Sequence, residues 1–339
     1  MEGLAPIREH VGTIAGVLPL EELLAADEPV VLRGIAADWP LVQAAAEGDQ
    51  AAMAHLRRHD AGRQVPYSYG APEIEGRPFY NDDYTELNFK VRRGSVSQVL
   101  DEIHAHRDDL RPPTWYMASL LVDDGLPGFR AGNDLDFAAH GLQPRTSIWL
   151  GNRVTASCHH DVPNNIAVCA VGRRRFTLFP PGQVANLYPG PLQPTPGGQT
   201  VSLVDFAAPD LQRHPRFAQA REHGLTTVLE PGDALFIPSM WWHHVQGLAP
   251  FNVLVNYWWG SMPAWVPPPV NALYHAMWTI RDRPEAEKRA WRAMFDYYVF
   301  GDAGRAAGHL PPQARQALAP IDETMARQLR AMLLAALNR

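Results

Sequence analysis

Cysteine and lysine are scarce in this chain, and each shortage excludes something. Only Cys158 and Cys169 occur in 339 residues. That rules out a disulfide-stapled scaffold or a cysteine-rich zinc site and favours a reducing, cytoplasmic setting. Of 30 basic residues only Lys90 and Lys288 are lysine, so any clamp for an anionic ligand falls to arginine. Positive charge is in deficit as well: a formal net charge of -6 argues against electrostatic capture of nucleic acid or of an anionic membrane. No apolar run approaches the roughly 18 residues needed to cross a bilayer. The N-terminal segment lacks a basic stretch followed by an unbroken apolar one, so no signal peptide is expected. Repeats of fixed period and low-complexity linkers are missing too.

What is present is a globular composition, 46% hydrophobic and 19% charged. At about 150 residues per domain this is one large domain or two modest ones. Thirty-one prolines break the chain into short pieces, which suits a β core with many turns. Residues 20–24 read as a short helix and 29–34 as a buried strand closed by a turn. Val96, Val99, Leu100 and Ile103 share one face of a helix expected from Ser95 to about His106. Between Trp115 and Trp259 come strand-like runs at 147–150, 166–170, 175–179, 200–204, 226–229, 234–237 and 251–258, with a helical insertion expected near 209–222. The tryptophans of this region, Trp149, Trp241, Trp242, Trp258 and Trp259, read as core. Beyond Pro268 and Pro269 the pattern turns helical. Val270, Leu273, Tyr274, Met277 and Trp278 form one stripe, Trp291, Met294, Phe295 and Tyr298 a second, and Ile321, Met325, Leu329, Leu333 and Leu337 a third. The division expected is a catalytic domain over 1–265, with a mixed part at 1–110 and a β core at 111–265, followed by a helical region over 266–339.

The segment that carries chemistry is Ser157-Cys158-His159-His160-Asp161-Val162-Pro163-Asn164-Asn165. Side chains at i and i+2 of an extended chain share a face, so His159 and Asp161 can point at one metal ion while His160 points away. A third ligand must come from a strand brought alongside. Trp241-Trp242-His243-His244, shortly after Pro231-Gly232-Asp233, offers it. Strand parity alone does not choose between His243 and His244. Two histidines and a carboxylate on one face of an ion are the donor set of non-haem Fe(II) oxygenases. The pair His104 and His106 sits on an expected helix, where i and i+2 diverge. In the run Arg173-Arg174-Arg175 an alternating strand turns the middle residue opposite to its neighbours, so one inward and two outward arginines are expected.

Together with Gly172 through Pro181, Leu187-Tyr188-Pro189, Val255-Asn256-Tyr257-Trp258 and an early Asp38-Trp39-Pro40, these motifs resemble the Jumonji C (cupin-like) oxygenases. The nearest group is the small asparaginyl-hydroxylase type, typified by factor inhibiting hypoxia-inducible factor, with its bacterial relatives. The resemblance runs over roughly residues 25 to 300. It implies a mainly β fold, a double-stranded β-helix (jelly roll) core with flanking helices. It also implies Fe(II), 2-oxoglutarate as cosubstrate and O2.

By position it makes His159, Asp161 and His243 the metal ligands and Arg174 the clamp for the distal carboxylate of 2-oxoglutarate. Tyr116 would assist that carboxylate, Asn165 and Asn256 would flank the cosubstrate, and Thr155 would add a hydroxyl. The interval before His159 is one residue longer than the family pattern, so Ser157 competes with Thr155. The implied reaction hydroxylates a C–H bond of a protein side chain or smaller substrate, with release of succinate and CO2. A nucleic-acid substrate is disfavoured by charge, although a tRNA base is among the family's substrates. Ala118 stands where asparaginyl hydroxylases carry a polar side chain, which weakens transfer of asparagine specificity. The competing readings are a cupin-type metal enzyme that does not use 2-oxoglutarate and a binding module without catalysis. The helical tail leads to the expectation of a homodimer.

Overall fold

The computed structural model describes residues 3–11, 18–263 and 265–338. The chain divides into two units, Met1–Ser261 and Met262–Arg339. The first holds fourteen strands among its described residues. They are β1 (Ala5–Pro6), β2 (Arg8–Glu9), β3 (Val30–Leu32), β4 (Val65–Gly70), β5 (Lys90–Gly94), β6 (Thr114–Leu121), β7 (Arg145–Gly151), β8 (Thr155–His160), β9 (Asn164–Val171), β10 (Arg174–Phe179), β11 (Leu225–Leu229), β12 (Ala234–Ile237), β13 (Trp242–Gly247) and β14 (Asn252–Trp259). They form a five-stranded sheet, β1-β11-β10-β13-β8, and a nine-stranded sheet, β2-β3-β12-β9-β14-β7-β6-β4-β5.

Alternation sorts the side chains into two cores. On β9, Ala167 and Cys169 join Val31, Phe176, Leu178, Leu235, Ile237 and Val245 in the cluster between the sheets. Ile166, Val168 and Ala170 face the other way, into the larger cluster beneath the helices of the N-terminal part. Strand β14 does the same, with Leu254 inside the sandwich and Val253, Val255 and Tyr257 outside. A strand buried on both faces reads as a nearly unbroken apolar run, and these two central strands do. This two-sheet core with flanking helices is the jelly-roll architecture expected from the sequence.

The helix at Val96–Ala105 begins with a capping box: Ser95 accepts from the Gln98 backbone N–H, and the Gln98 side chain accepts from the Ser95 N–H. Its apolar face, Val96, Val99, Leu100 and Ile103, is buried as the spacing requires. Helices at Pro40–Glu47 and Asp49–His59 complete that layer. The expected strand at 200–204 exists only as isolated bridges, His159 to Val201 and Pro189 to Ser202. The prolines and glycines of the preceding segment prevent a continuous ladder. The insertion at 209–222 is helical only at Phe217–Glu222, because Pro215 interrupts it.

Two turns place the site. Gly172 closes β9 onto β10 at φ 74°, and a Cβ there would lie 2.5 Å from the Phe251 carbonyl oxygen. Glycine is therefore required on both counts. Asp233 of the Pro-Gly-Asp turn accepts from the Gly34 and Glu230 N–H groups and pairs with Arg33 at 2.6 Å. That motif is a structural tie between β3 and the β11–β12 turn, not part of the chemistry.

The second unit contains helices at Val270–Thr279, Glu285–Phe295 and Glu323–Leu337. Their stripes are largely solvent-facing: Trp278 is 74% exposed, and Leu273, Met294 and Leu333 are near half; Phe300, just past the second helix, is 77% exposed. Among the described residues, no helix is long and apolar enough to cross a membrane.

Candidate metal and cosubstrate site

Strands β8 and β13 are antiparallel neighbours, and His159 stands directly opposite His243. Their ring centroids are 4.3 Å apart. Asp161 lies just past the end of β8, with a carboxylate oxygen 3.7 Å from His243 Nε2. One donor atom from each of the three residues lies within 4.8 Å of the others, and among the described residues no other group of three does so. The Nδ1–H of His159 donates to the Ser157 carbonyl at 2.8 Å, and that of His243 to the Trp241 carbonyl at 3.0 Å. Those bonds fix the tautomer and leave each Nε2 lone pair for a ligand bond. Burial, with His159 beside it, holds the His243 imidazolium well below the ordinary histidine range, so the ring is neutral and able to ligate at neutral pH.

Register settles which of the two adjacent histidines belongs to the site. On β13, His243 and Val245 point between the sheets, whereas Trp242 and His244 point outward. His244 stacks on Phe206 at 4.6 Å, and burial pushes it down to about 3. His160 likewise faces out, its ring 4.7 Å from that of Trp242.

The cavity over the three donors is lined by Tyr116, Trp149, Ala156, Asn165, Arg174, Asn256 and Trp258, with Ala167, Phe176, Ile237, Val245 and Leu254 as its apolar wall. Arg174 is the inward arginine. It is 4% exposed, and its buried Nε has no hydrogen-bond partner. Arg173 pairs outside with Glu230 at 2.8 Å and Arg175 reaches Gln246. The Tyr116 hydroxyl is hydrogen-bonded to Arg174, and burial pushes its pKa up to about 12, so it stays protonated. Asn165 Oδ1 and Trp258 Nε1 are also buried without a partner. Asn256 Oδ1 accepts from Trp149 Nε1 at 2.8 Å.

Thr155 departs from its expected place. Between β8 and β13 the register slips, so that His243 faces His159 but Val245 faces Ala156. Three steps along β8 thus span two along β13, a bulge that reverses parity. Ala156 takes the inward position, while Thr155 lies on the outer face beside Arg77, His244 and Gln246. Ser157 is turned outward too, accepting from Arg77 Nε. Neither hydroxyl reaches the cavity. Two of the tryptophans expected in the core line the cavity: Trp258, and Trp149, which also packs against the core between the sheets. For Trp258 a signal was available: it follows Asn256 by two on β14, and side chains at i and i+2 share a face.

The donor set suits a first-row divalent ion: two neutral imidazoles and one carboxylate, with only three protein ligands offered. A buried arginine with an unpaired Nε in the same cavity suits the carboxylate of an organic acid. The residues present therefore fit Fe(II) with 2-oxoglutarate.

Comparison with known proteins identifies the domain. A cupin-like domain profile matches residues 17–264. HSPB1-associated protein 1 of Bos taurus is 28% identical over 260 residues, covering 74% of this chain and 52% of that protein. Lysine-specific demethylase 8 of Xenopus tropicalis is 25% identical over 245 residues, 70% of this chain and 49% of the other. The tRNA wybutosine-synthesizing protein 5 of Danio rerio is 36% identical over 106 residues, 31% and 29% of the two chains. The chain spans about half the length, or less, of these curated relatives. With the profile covering most of its length and the three donors in place, the chain belongs to the cupin-like domain family, that of the Jumonji C oxygenases.

Proposed function

We propose that this protein is an Fe(II)- and 2-oxoglutarate-dependent oxygenase that hydroxylates a C–H bond of a protein side chain or smaller substrate, releasing succinate and CO2. The observation that carries this reading is Arg174: a buried arginine with an unpaired Nε, sharing a cavity with three convergent metal donors. A buried cation without a counter-ion is costly, and a bound carboxylate removes that cost.

His159, Asp161 and His243 would hold the metal, which when bound supplies activation of O2 coupled to decarboxylation of the oxo acid. The chain's own residues do the rest. Arg174 and the Tyr116 hydroxyl bind and orient the distal carboxylate. Asn165 Oδ1 and Trp258 Nε1 offer a free acceptor and a free donor inside the cavity. Phe176, Ile237, Val245 and Leu254 keep water away from the reacting groups. The test is succinate formation from 2-oxoglutarate with Fe(II) and O2, with an extract of candidate protein and small-molecule substrates. Turnover that requires all three reactants is expected, and metal-bound protein indifferent to 2-oxoglutarate would overturn the proposal. The net charge of -6 makes a nucleic-acid substrate the less favoured class.

We also propose that the protein pairs with a second copy through the helical unit, which leaves the large apolar side chains of Leu273, Trp278, Met294 and Phe300 exposed, the kind of surface that protein–protein contacts cover. Light scattering is expected to give twice the 37.7 kDa chain mass. The double change Leu273→Glu with Trp278→Glu should halve it. A wild-type mass of one chain at micromolar concentration would contradict the pairing.

A further inference from the structure

Asp161 is the one donor of the three that no strand holds. Strand β8 ends at His160, whose partner across the ladder is Trp242. What continues beyond is a set of three hydrogen bonds between residues 161–164 and the turn that precedes β13. Met240 N–H donates to the Asp161 carbonyl at 2.8 Å. Ser239 N–H donates to Asn164 Oδ1 at 2.9 Å, and the Ser239 hydroxyl donates to the Val162 carbonyl at 2.5 Å. Forming them puts Met240 at φ 66°, the left-handed region that a residue with a Cβ disfavours. Such a conformation persists only where surrounding contacts over-determine it.

We infer that Asn164 and Ser239 are positioning residues for the metal: they clasp the Asp161 segment to the His243 segment and set the spacing of the two donors before an ion arrives. The inference rests on the proposed metal site and adds two residues to it. Both are distinct from the three donor residues, and their side chains are engaged with the Ser239 N–H and the Val162 carbonyl. Ser239 acts through the carbonyl of Val162, the neighbour of Asp161, and Asn164 acts through the N–H of Ser239, in the turn that leads into β13. A side chain that orients a ligand without touching the metal typically changes metal affinity 10- to 100-fold.

The experiment is titration of apo-protein with Mn(II) and with Co(II), by calorimetry and by the visible absorbance of bound Co(II), in the cold and well below unfolding. The expected result for Asn164→Ala with Ser239→Ala is a loss of affinity of roughly 10- to 100-fold and an altered Co(II) spectrum. Ser239→Thr, which keeps the hydroxyl, and Met240→Gly, which keeps the N–H and removes the left-handed penalty, should bind as wild type does. A double variant that binds both ions with wild-type affinity and spectrum, whatever its melting temperature, overturns the inference and leaves the proposed function standing. Wild-type protein that binds neither ion overturns both.

Discussion

Arg174→Met is expected to weaken cosubstrate binding sharply while leaving the melting temperature without cosubstrate unchanged or raised. The two effects have one cause. Arg174 is 4% exposed, bonded to the Tyr116 hydroxyl and short of a partner at Nε. Replacing a buried charge by an apolar side chain of similar length removes a desolvation cost, which is often neutral or stabilising. With 2-oxoglutarate present the balance reverses, because the distal carboxylate would be buried against a thioether. Removing one member of a buried, hydrogen-bonded charge pair costs about 2–5 kcal/mol, roughly 30- to 4,000-fold in affinity. Arg174→Lys should recover only part of this, since an ammonium lacks the planar fork. Binding of 2-oxoglutarate by calorimetry and apo melting curves read the two effects separately. A variant that loses apo stability and keeps its affinity would show Arg174 to be structural.

The second large effect is expected at the metal donors. Asp161→Ala and His243→Ala should each weaken metal binding by more than about 100-fold, beyond what outer groups produce. His244→Ala should leave metal affinity near wild type, because that ring stacks outward on Phe206. Its cost falls on packing, where a buried aromatic-sized cavity opens. The pair of adjacent histidines thus separates two losses that strand parity alone does not assign and that the family resemblance assigns to His243. If His244→Ala removed metal binding and His243→Ala did not, the register of β13 against β8 would be wrong.

How much of this is legible in the sequence follows from what decides each position. The apolar runs of β9 and β14 declare themselves because both faces are buried, and period-2 parity is enough to select Arg174 from its run and to pair His159 with Asp161. Parity fails at Thr155 because the bulge in β8 exists only in its pairing with β13. The extra residue before His159 is the visible sign, but it does not say that both Thr155 and Ser157 are turned out of the cavity. The choice between His243 and His244 depends on register between segments far apart in the chain, which local pattern does not encode. The clasp at Asn164 and Ser239 is equally hidden, since polar residues beside prolines read as an ordinary turn. Trp149 reads as core from its bulk, and its hydrogen bond to Asn256 is a tertiary fact.

One measurement tests the central claim most directly: anaerobic addition of Fe(II) and 2-oxoglutarate, followed by visible absorbance for the charge-transfer band that Fe(II) gives with a chelated 2-oxo acid. The account expects the band in the wild-type protein and its loss in His159→Ala. Absence of the band in the wild type, or a band of equal strength in the variant, would contradict it.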